Sequence, residues 1–233
     1  EYGTVGNGVS GTIVYTPVSL ALSGVTSITG EQYITCVVAS GDVYCWGFNP
    51  DFNPAMLREE AYRPRRLTGF RNVVQLEFAD FKLCAVDQAS SVWCMGTNID
   101  NSLATGSSSP ILSTPGRRLD VSNVTRIAWS GHLLLAVSNG ALFVRDHLRP
   151  YVPPYTFTFL SRVVDVSGNL FSFCSTLQDG SVACRGRYIS DVTPWEFSDG
   201  SRRVNGLTNL ASVAVGLGFY CALKRDGTVW CWG

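Results

Sequence analysis

The chain has 233 residues, 45% of them hydrophobic and only 15% charged, with eighteen basic residues balancing eighteen acidic ones. A length of this size fills one large all-β domain or two small ones. Balanced charge argues against a dedicated nucleic-acid binder, and the lack of any run of about eighteen apolar residues leaves no candidate membrane-spanning helix. The chain is rich in Gly, Val, Ser, Thr and aromatics, which suits strands and turns, and no segment carries a helical period. The opening EYGTVGNGVSG does not have the pattern of a secretory signal.

In chain order, the first predicted element is a strand carrying Leu22, Val25 and Ile28, which stand 14, 11 and 8 residues before Cys36. A hairpin, TCVVASGDVYCWG, follows, with Ser40-Gly41 at its turn. The second unit repeats the register with Phe70, Val73 and Leu76 before Cys84, and its hairpin is LCAVDQASSVWCMG. The third places Val121, Val124 and Ile127 before Leu135, in LLAVSNGALFVRD. The fourth has Leu160, Val163 and Val166 before Cys174, in FCSTLQDGSVACRG. The fifth has Leu207, Leu210 and Val213 before Cys221, in YCALKRDGTVWCWG. All fifteen positions are apolar without a gap, and the second marks, at residues 45, 94, 144, 184 and 231, are 49, 50, 40 and 47 residues apart. Predicted hairpins therefore span 33–47, 81–96, 132–146, 171–186 and 218–233, within a single domain covering 1–233. A strand-rich repeat of this period predicts an all-β fold of propeller blades rather than a β-sandwich.

All eight cysteines lie in four of these hairpins, as Cys36 with Cys45, Cys84 with Cys94, Cys174 with Cys184, and Cys221 with Cys231. A two-residue Ser40-Gly41 turn sets Cys36 opposite Cys45. A three-residue turn or a bulge does the same in the other three. The third hairpin has Leu135 and Val144 at the two cysteine positions, so the cysteines are absent together. Disulfides within each hairpin follow, and with them an oxidising compartment. Buried free thiols would also fill these positions. Zinc is disfavoured, because the pairs are too widely spaced and His132 and His147 are the only histidines.

The stretch WCMGTNIDNSLATG, from Trp93 to Gly106, resembles the W-G-x-N-x-x-G-Q-L-G-x-G signature of the RCC1-like (regulator of chromosome condensation) repeat family. Gly96, Asn98, Leu103 and Gly106 match it, while Asn101 and Ala104 replace two glycines. The opening EYGTVGNG is similar to the tail of the same signature through Gly3, Val5, Gly6 and Gly8. The hairpins around Cys36 and Cys221 resemble the family's most typical segment. In the third and fourth units, Arg145-Asp146 and Arg185-Gly186 replace Trp-Gly. The resemblance implies a β-propeller of four-stranded blades. With five hairpins visible, either a five-bladed ring or an arc of a larger propeller is expected. Trp232-Gly233 and Glu1 would join in phase with two residues missing, which accords with both. Members of the family serve as exchange factors for small GTPases, enzyme inhibitors, photoreceptors, receptor ectodomains and secreted bacterial proteins, so the resemblance leaves the role open.

No catalytic constellation emerges. His132 takes a repeat position held elsewhere by Tyr33, Phe81, Phe171 and Gly218, usually aromatic, which predicts packing rather than catalysis. His147 lies in a loop. Asp42, Asp179 and Asp226 sit at hairpin turns, where turn geometry explains them. Glu59-Glu60 lies among Arg58, Arg63, Arg65 and Arg66, as in a solvated loop. Trp46, Trp93, Trp230 and Trp232 fall in or beside hairpin strands and read as structural. No metal or cofactor is expected.

The remaining feature is a set of aromatic, proline-bearing loops. They nominate Phe48, Phe52, Tyr62, Tyr151, Tyr155, Trp195 and Phe197 as partner-binding residues. Asn123-Val124-Thr125 is the one N-glycosylation sequon. The expected role is a secreted or cell-surface, non-enzymatic module that binds another protein or copies of itself, without nucleic acid or membrane insertion. A building block of an extracellular filament, coat or surface layer is the alternative, with a receptor ectodomain or an exchange-factor-like regulator beyond it.

Overall fold

The computed structural model describes residues 3–9, 11, 13–31, 33–47, 62–146, 155–186 and 202–233. These fall into two compact units, Glu1–Ser122 and Asn123–Gly233. The described residues form antiparallel strands and one short 3₁₀ turn, Ile99–Asn101.

Unit one holds two four-stranded sheets. The first runs β1 (Val25–Glu31), β2 (Ile34–Ala39), β3 (Asp42–Gly47) and β4 (Arg65–Leu67), in that spatial order. The second runs β5 (Val73–Ala79), β6 (Lys82–Asp87), β7 (Val92–Thr97) and β8 (Ile111–Arg117). Unit two holds β9 (Val124–Ser130), β10 (Leu133–Ser138), β11 (Ala141–Asp146) and β12 (Tyr155–Ser161) in its first sheet. Its second comprises β13 (Val163–Gly168), β14 (Ser172–Leu177), β15 (Val182–Gly186) and β16 (Arg202–Arg203). Its third has three strands, β17 (Leu210–Val215), β18 (Tyr220–Lys224) and β19 (Val229–Trp232).

Every sheet is an up-and-down meander, and its first strand carries the apolar repeat. Val73 and Leu76 are three apart, so a regular strand would point them to opposite faces. The ladder skips one residue between Val73 and Gln75. This bulge restores the facing, and both side chains are buried. The same skip recurs at Val25/Ser27, Val163/Asp165 and Leu210/Ser212, and between Val124 and Arg126.

Hairpin registers are those the turn chemistry dictates. Ser40 and Gly41 both take positive φ, 53° and 83°, and pair Ala39 with Asp42. Asn139-Gly140 does the same and pairs Leu135 with Val144. The other three hairpins use three-residue turns whose last member, Ser90, Gly180 or Gly227, is left-handed. Disulfides join Cys36–Cys45, Cys84–Cys94, Cys174–Cys184 and Cys221–Cys231, with Cα separations of 4.0–4.2 Å. No free cysteine is present among the described residues.

Neighbouring sheets within a unit share a core. In unit one, Cys36, Val38, Val43 and Cys45 pack on Val73, Leu76 and Phe78. Ser27 and Thr29 hydroxyls accept from the Leu76 and Phe78 amides at 3.3 and 3.1 Å, and the Glu31 carboxylate accepts from Asp80 N–H at 2.8 Å. In unit two, Leu135, Val137, Leu142 and Val144 meet Val163 and Val166. Cys174, Val182 and Cys184 meet Leu210 and Val213. The Val215 amide donates to Ser167 Oγ at 3.3 Å, repeating the link made by Thr29.

Candidate protein-interaction surface

In a meander, the β1–β2 turn and the β3–β4 connection lie at one end of the sheet, and the β2–β3 hairpin lies at the other. The first end carries an exposed aromatic in sheet after sheet. Tyr33, Phe81, Phe171 and Phe219 are 45%, 44%, 42% and 57% exposed, and Leu170 and Leu217 beside the last two are more open still. Asp80 and Phe81 both have positive φ, 50° and 59°, so this tight turn holds its ring outward. Gly96 closes the same end. A Cβ there would come within 2.1 Å of Phe81 O, so the glycine of the Trp-Gly pattern permits backbone contact.

His132 occupies the equivalent turn in the third sheet. It is exposed, with Nε2 3.6 Å from Asp146 Oδ1. The expectation that this repeat position packs inward is therefore corrected, because a two-residue turn has no core to point into. The sequence pattern identified the position as aromatic but gave no sign of its direction. Phe219, Leu170 and Leu217 were missed, since they stand one residue off the counted register.

Of the nominated partner-binding residues, Tyr62 is half-buried and structural in its contacts. Its carbonyl accepts from the Gly8 amide at 2.8 Å, and a Cβ on Gly3 would fall 2.1 Å from its ring. Tyr155 opens β12, with its side chain outside the described residues. Phe48, Phe52, Tyr151, Trp195 and Phe197 lie outside the described residues, as do His147, Arg58 and Glu59-Glu60. Gly47 pairs with Ile34, and Asp146 with Leu133, so the chain leaves β3 and β11 at the aromatic-bearing end.

Loops 3–8 and 101–106 share one conformation. Gly3, Gly6 and Gly8 have φ of 68°, 78° and 86°, and Asn101, Ala104 and Gly106 have 57°, 52° and 80°. Asn98 anchors the second copy from a buried position. Its Nδ2 donates to the Ser107 and Ser109 carbonyls at 3.0 and 2.8 Å, and its Oδ1 accepts from Leu103 N–H at 3.0 Å. Thr4 O accepts from the indole of buried Trp46 at 2.9 Å. Trp93 donates to Asp87 at 2.8 Å, and Trp232 stacks on Tyr220 at 5.5 Å. Trp230 departs from the structural assignment, being half exposed with Lys224 Nζ 5.4 Å above its ring.

At the opposite end of unit one, Asp42, Arg66, Arg71 and Asn72 line an open polar groove of about 420 Å³, crossed by an Arg66–Asp42 ion pair at 2.7 Å. No group of three or more His, Cys, Asp or Glu side chains stands close enough to hold a metal ion among the described residues. Asn123 is exposed and left-handed, with φ 52°, and its sequon partner Thr125 donates weakly to Val137 O at 3.5 Å.

Sheets of this topology, four of the five stapled across the central hairpin, define an RCC1-like β-propeller fold. Residues 210–233 match the family model described as Regulator of chromosome condensation (RCC1) repeat. Human WBSCR16 shares the fold at a TM-score of 0.73 and 21% identity, over 94% of this chain and 65% of that one. The chain thus spans slightly under two thirds of that protein. Yeast RCC1 (Prp20), solved with Kap60 bound, aligns at 0.56 and 16% identity over 90% of this chain and 70% of that one. The ectodomain of the Physcomitrella patens receptor kinase CR4 aligns at 0.54 and 16% identity, over 90% of this chain and 53% of that one. No curated protein sequence matches.

Proposed function

We propose that this chain is a non-enzymatic, disulfide-stapled binding scaffold that works in an oxidising compartment and holds another protein at the end of the unit-one sheets that bears Tyr33 and Phe81. The carrying observation is the recurrence of an exposed aromatic at one turn position of successive sheets. Aromatic anchors at rigid tight turns lose little entropy on binding, which is why they dominate interfaces. Strands β3 and β11 each end at the turn-bearing end of their own sheet, at Gly47 and Asp146. Yeast RCC1, a neighbour in fold, has been solved with Kap60 bound, which accords with a protein partner. Four disulfides favour a location outside the cytosol.

The test is affinity capture from extracellular material with the wild-type chain and with a Tyr33→Ser, Phe81→Ser variant. A protein retained by the first and lost by the second, at unchanged melting temperature, supports the assignment. Equal capture by both removes it.

A further inference from the structure

Unit one carries a second surface, at the end of its sheets away from the turn aromatics. There the segment 66–72 runs between two hairpin tips, those of Ser40-Gly41 and Gln88-Ala89. It borders two open cavities, of about 420 Å³ at the first tip and about 480 Å³ at the second, which share Gly69, Arg71 and Asn72 and so form one groove. Both tips are stitched to the floor. The Val73 amide donates to Gly41 O at 3.0 Å, and the Gln88 amide donates to Asn72 O at 2.9 Å. A groove braced in this way is in place before any ligand arrives, which lowers the ordering cost of binding.

The side chains on this groove divide by what already satisfies them. Arg66 is paired with Asp42 at 2.7 Å. Asp87 accepts from the Ser91 amide at 2.9 Å and from the Trp93 indole at 2.8 Å. With its N–H engaged, half-buried Trp93 offers the groove carbon surface rather than a donor, while the rest of its ring packs on the core. Arg71, Asn72 and Gln88 are exposed and make no side-chain hydrogen bond or ion pair among the described residues. An apolar small molecule would find too little carbon surface in so open and polar a lining. A nucleic-acid strand would meet the carboxylates of Asp42 and Asp87 with only Arg71 unpaired against them. Hydroxyl groups suit the two carboxamides, which both donate and accept. The C–H face of a sugar ring suits an indole, and a carboxylate suits the guanidinium fork.

We propose that this groove binds an oligosaccharide carrying a single carboxylate. One sugar ring lies on Trp93, Asn72 and Gln88 hold its hydroxyls, and Arg71 takes the carboxylate in a bidentate pair. The Arg66–Asp42 pair, in the other half of the groove, offers polar contacts to a neighbouring sugar. The site is separate from the end that bears Tyr33 and Phe81 and does not rest on the reading given for those residues. The Tyr33→Ser, Phe81→Ser variant should therefore bind sugar like wild type.

The test is isothermal titration of the intact chain with two acidic trisaccharides, sialyllactose and glucuronosyl-xylobiose, at up to about 10 mM. At least one should bind with a Kd below about 1 mM. Arg71→Gln should weaken that binding about tenfold and Gln88→Ala about threefold. Both variants should melt with wild type, because neither side chain has a partner in the fold. The methyl ester of the bound sugar should bind wild type as weakly as the free acid binds Arg71→Gln. In NMR spectra, the Trp93 indole N–H signal should shift on titration. No binding of either sugar, or binding that Arg71→Gln leaves unchanged, would overturn the proposal. So would a Trp93 signal that stays in place, or equal binding of the peptide Gly-Glu-Gly with blocked termini, which offers a carboxylate without a sugar.

Discussion

Removing the Cys36–Cys45 bond by changing both residues to alanine is a direct probe of what the staples contribute. The bond spans a separation of 9 residues, for which the chain-entropy relation gives about 2.7 kcal/mol. Both cysteines are fully buried against Val73 and Leu76. Two cavities of roughly 25 Å³, at about 24 cal/mol per Å³, add about 1 kcal/mol. The expected loss is about 4 kcal/mol. The same double change at Cys221 and Cys231 removes a bond of separation 10 from a sheet whose Cys231 is exposed, so only the entropic part of about 2.7 kcal/mol should be lost. Urea unfolding without reductant, followed by far-UV circular dichroism, reads both losses. Equal losses at the two sites, or a loss below about 1 kcal/mol at Cys36–Cys45, would refute the reasoning.

Three further outcomes follow. Asn98→Asp keeps the shape but cannot donate to the Ser107 and Ser109 carbonyls, and thermal melts should show a loss of about 3 kcal/mol. Ala104→Gly relieves a left-handed alanine where the matching Gly6 has none to relieve, and should stabilise by about 0.5–1 kcal/mol in the same assay. Two aspartates should respond oppositely to pH. The Thr228 hydroxyl first, then its amide, hold Asp226 below the usual carboxylate range, so its stabilisation is present at neutral pH and lost as pH falls through the folded value. Burial first raises Asp165, against lowering by Val166 N–H and Arg126, so its ionised form opposes folding and stability is regained as pH falls. Melts from neutral pH to below about pH 4 should therefore find Asp226→Asn less stable and Asp165→Asn more stable than wild type at neutral pH, with both differences closing in acid.

Much of the scaffold was legible because its determinants are local. Ser40-Gly41 and Asn139-Gly140 set hairpin register through backbone sterics alone, and register placed Cys36 on Cys45 and Leu135 on Val144. The apolar triplets were visible, but the reason their last two members are three apart is a bulge, which no side chain announces. The fourth strands were hidden, because β4 and β16 are only three and two residues long and are defined by pairing with a neighbour. Exposure was hidden too. Phe81 and Phe78 are the same residue type three positions apart, yet one caps a turn in solvent and the other fills the core. Val25 and Ile28 follow the pattern of buried Val73 and Leu76, and only the arrangement of whole sheets shows them open.

The most direct test of the account is peptide mapping by mass spectrometry under non-reducing conditions, on protein from its natural source. The account predicts four linked peptide pairs, Cys36–Cys45, Cys84–Cys94, Cys174–Cys184 and Cys221–Cys231, with no alkylatable thiol. Free thiols at these positions, or links between different hairpins, would contradict both the stapled-blade scaffold and the oxidising compartment assigned to it.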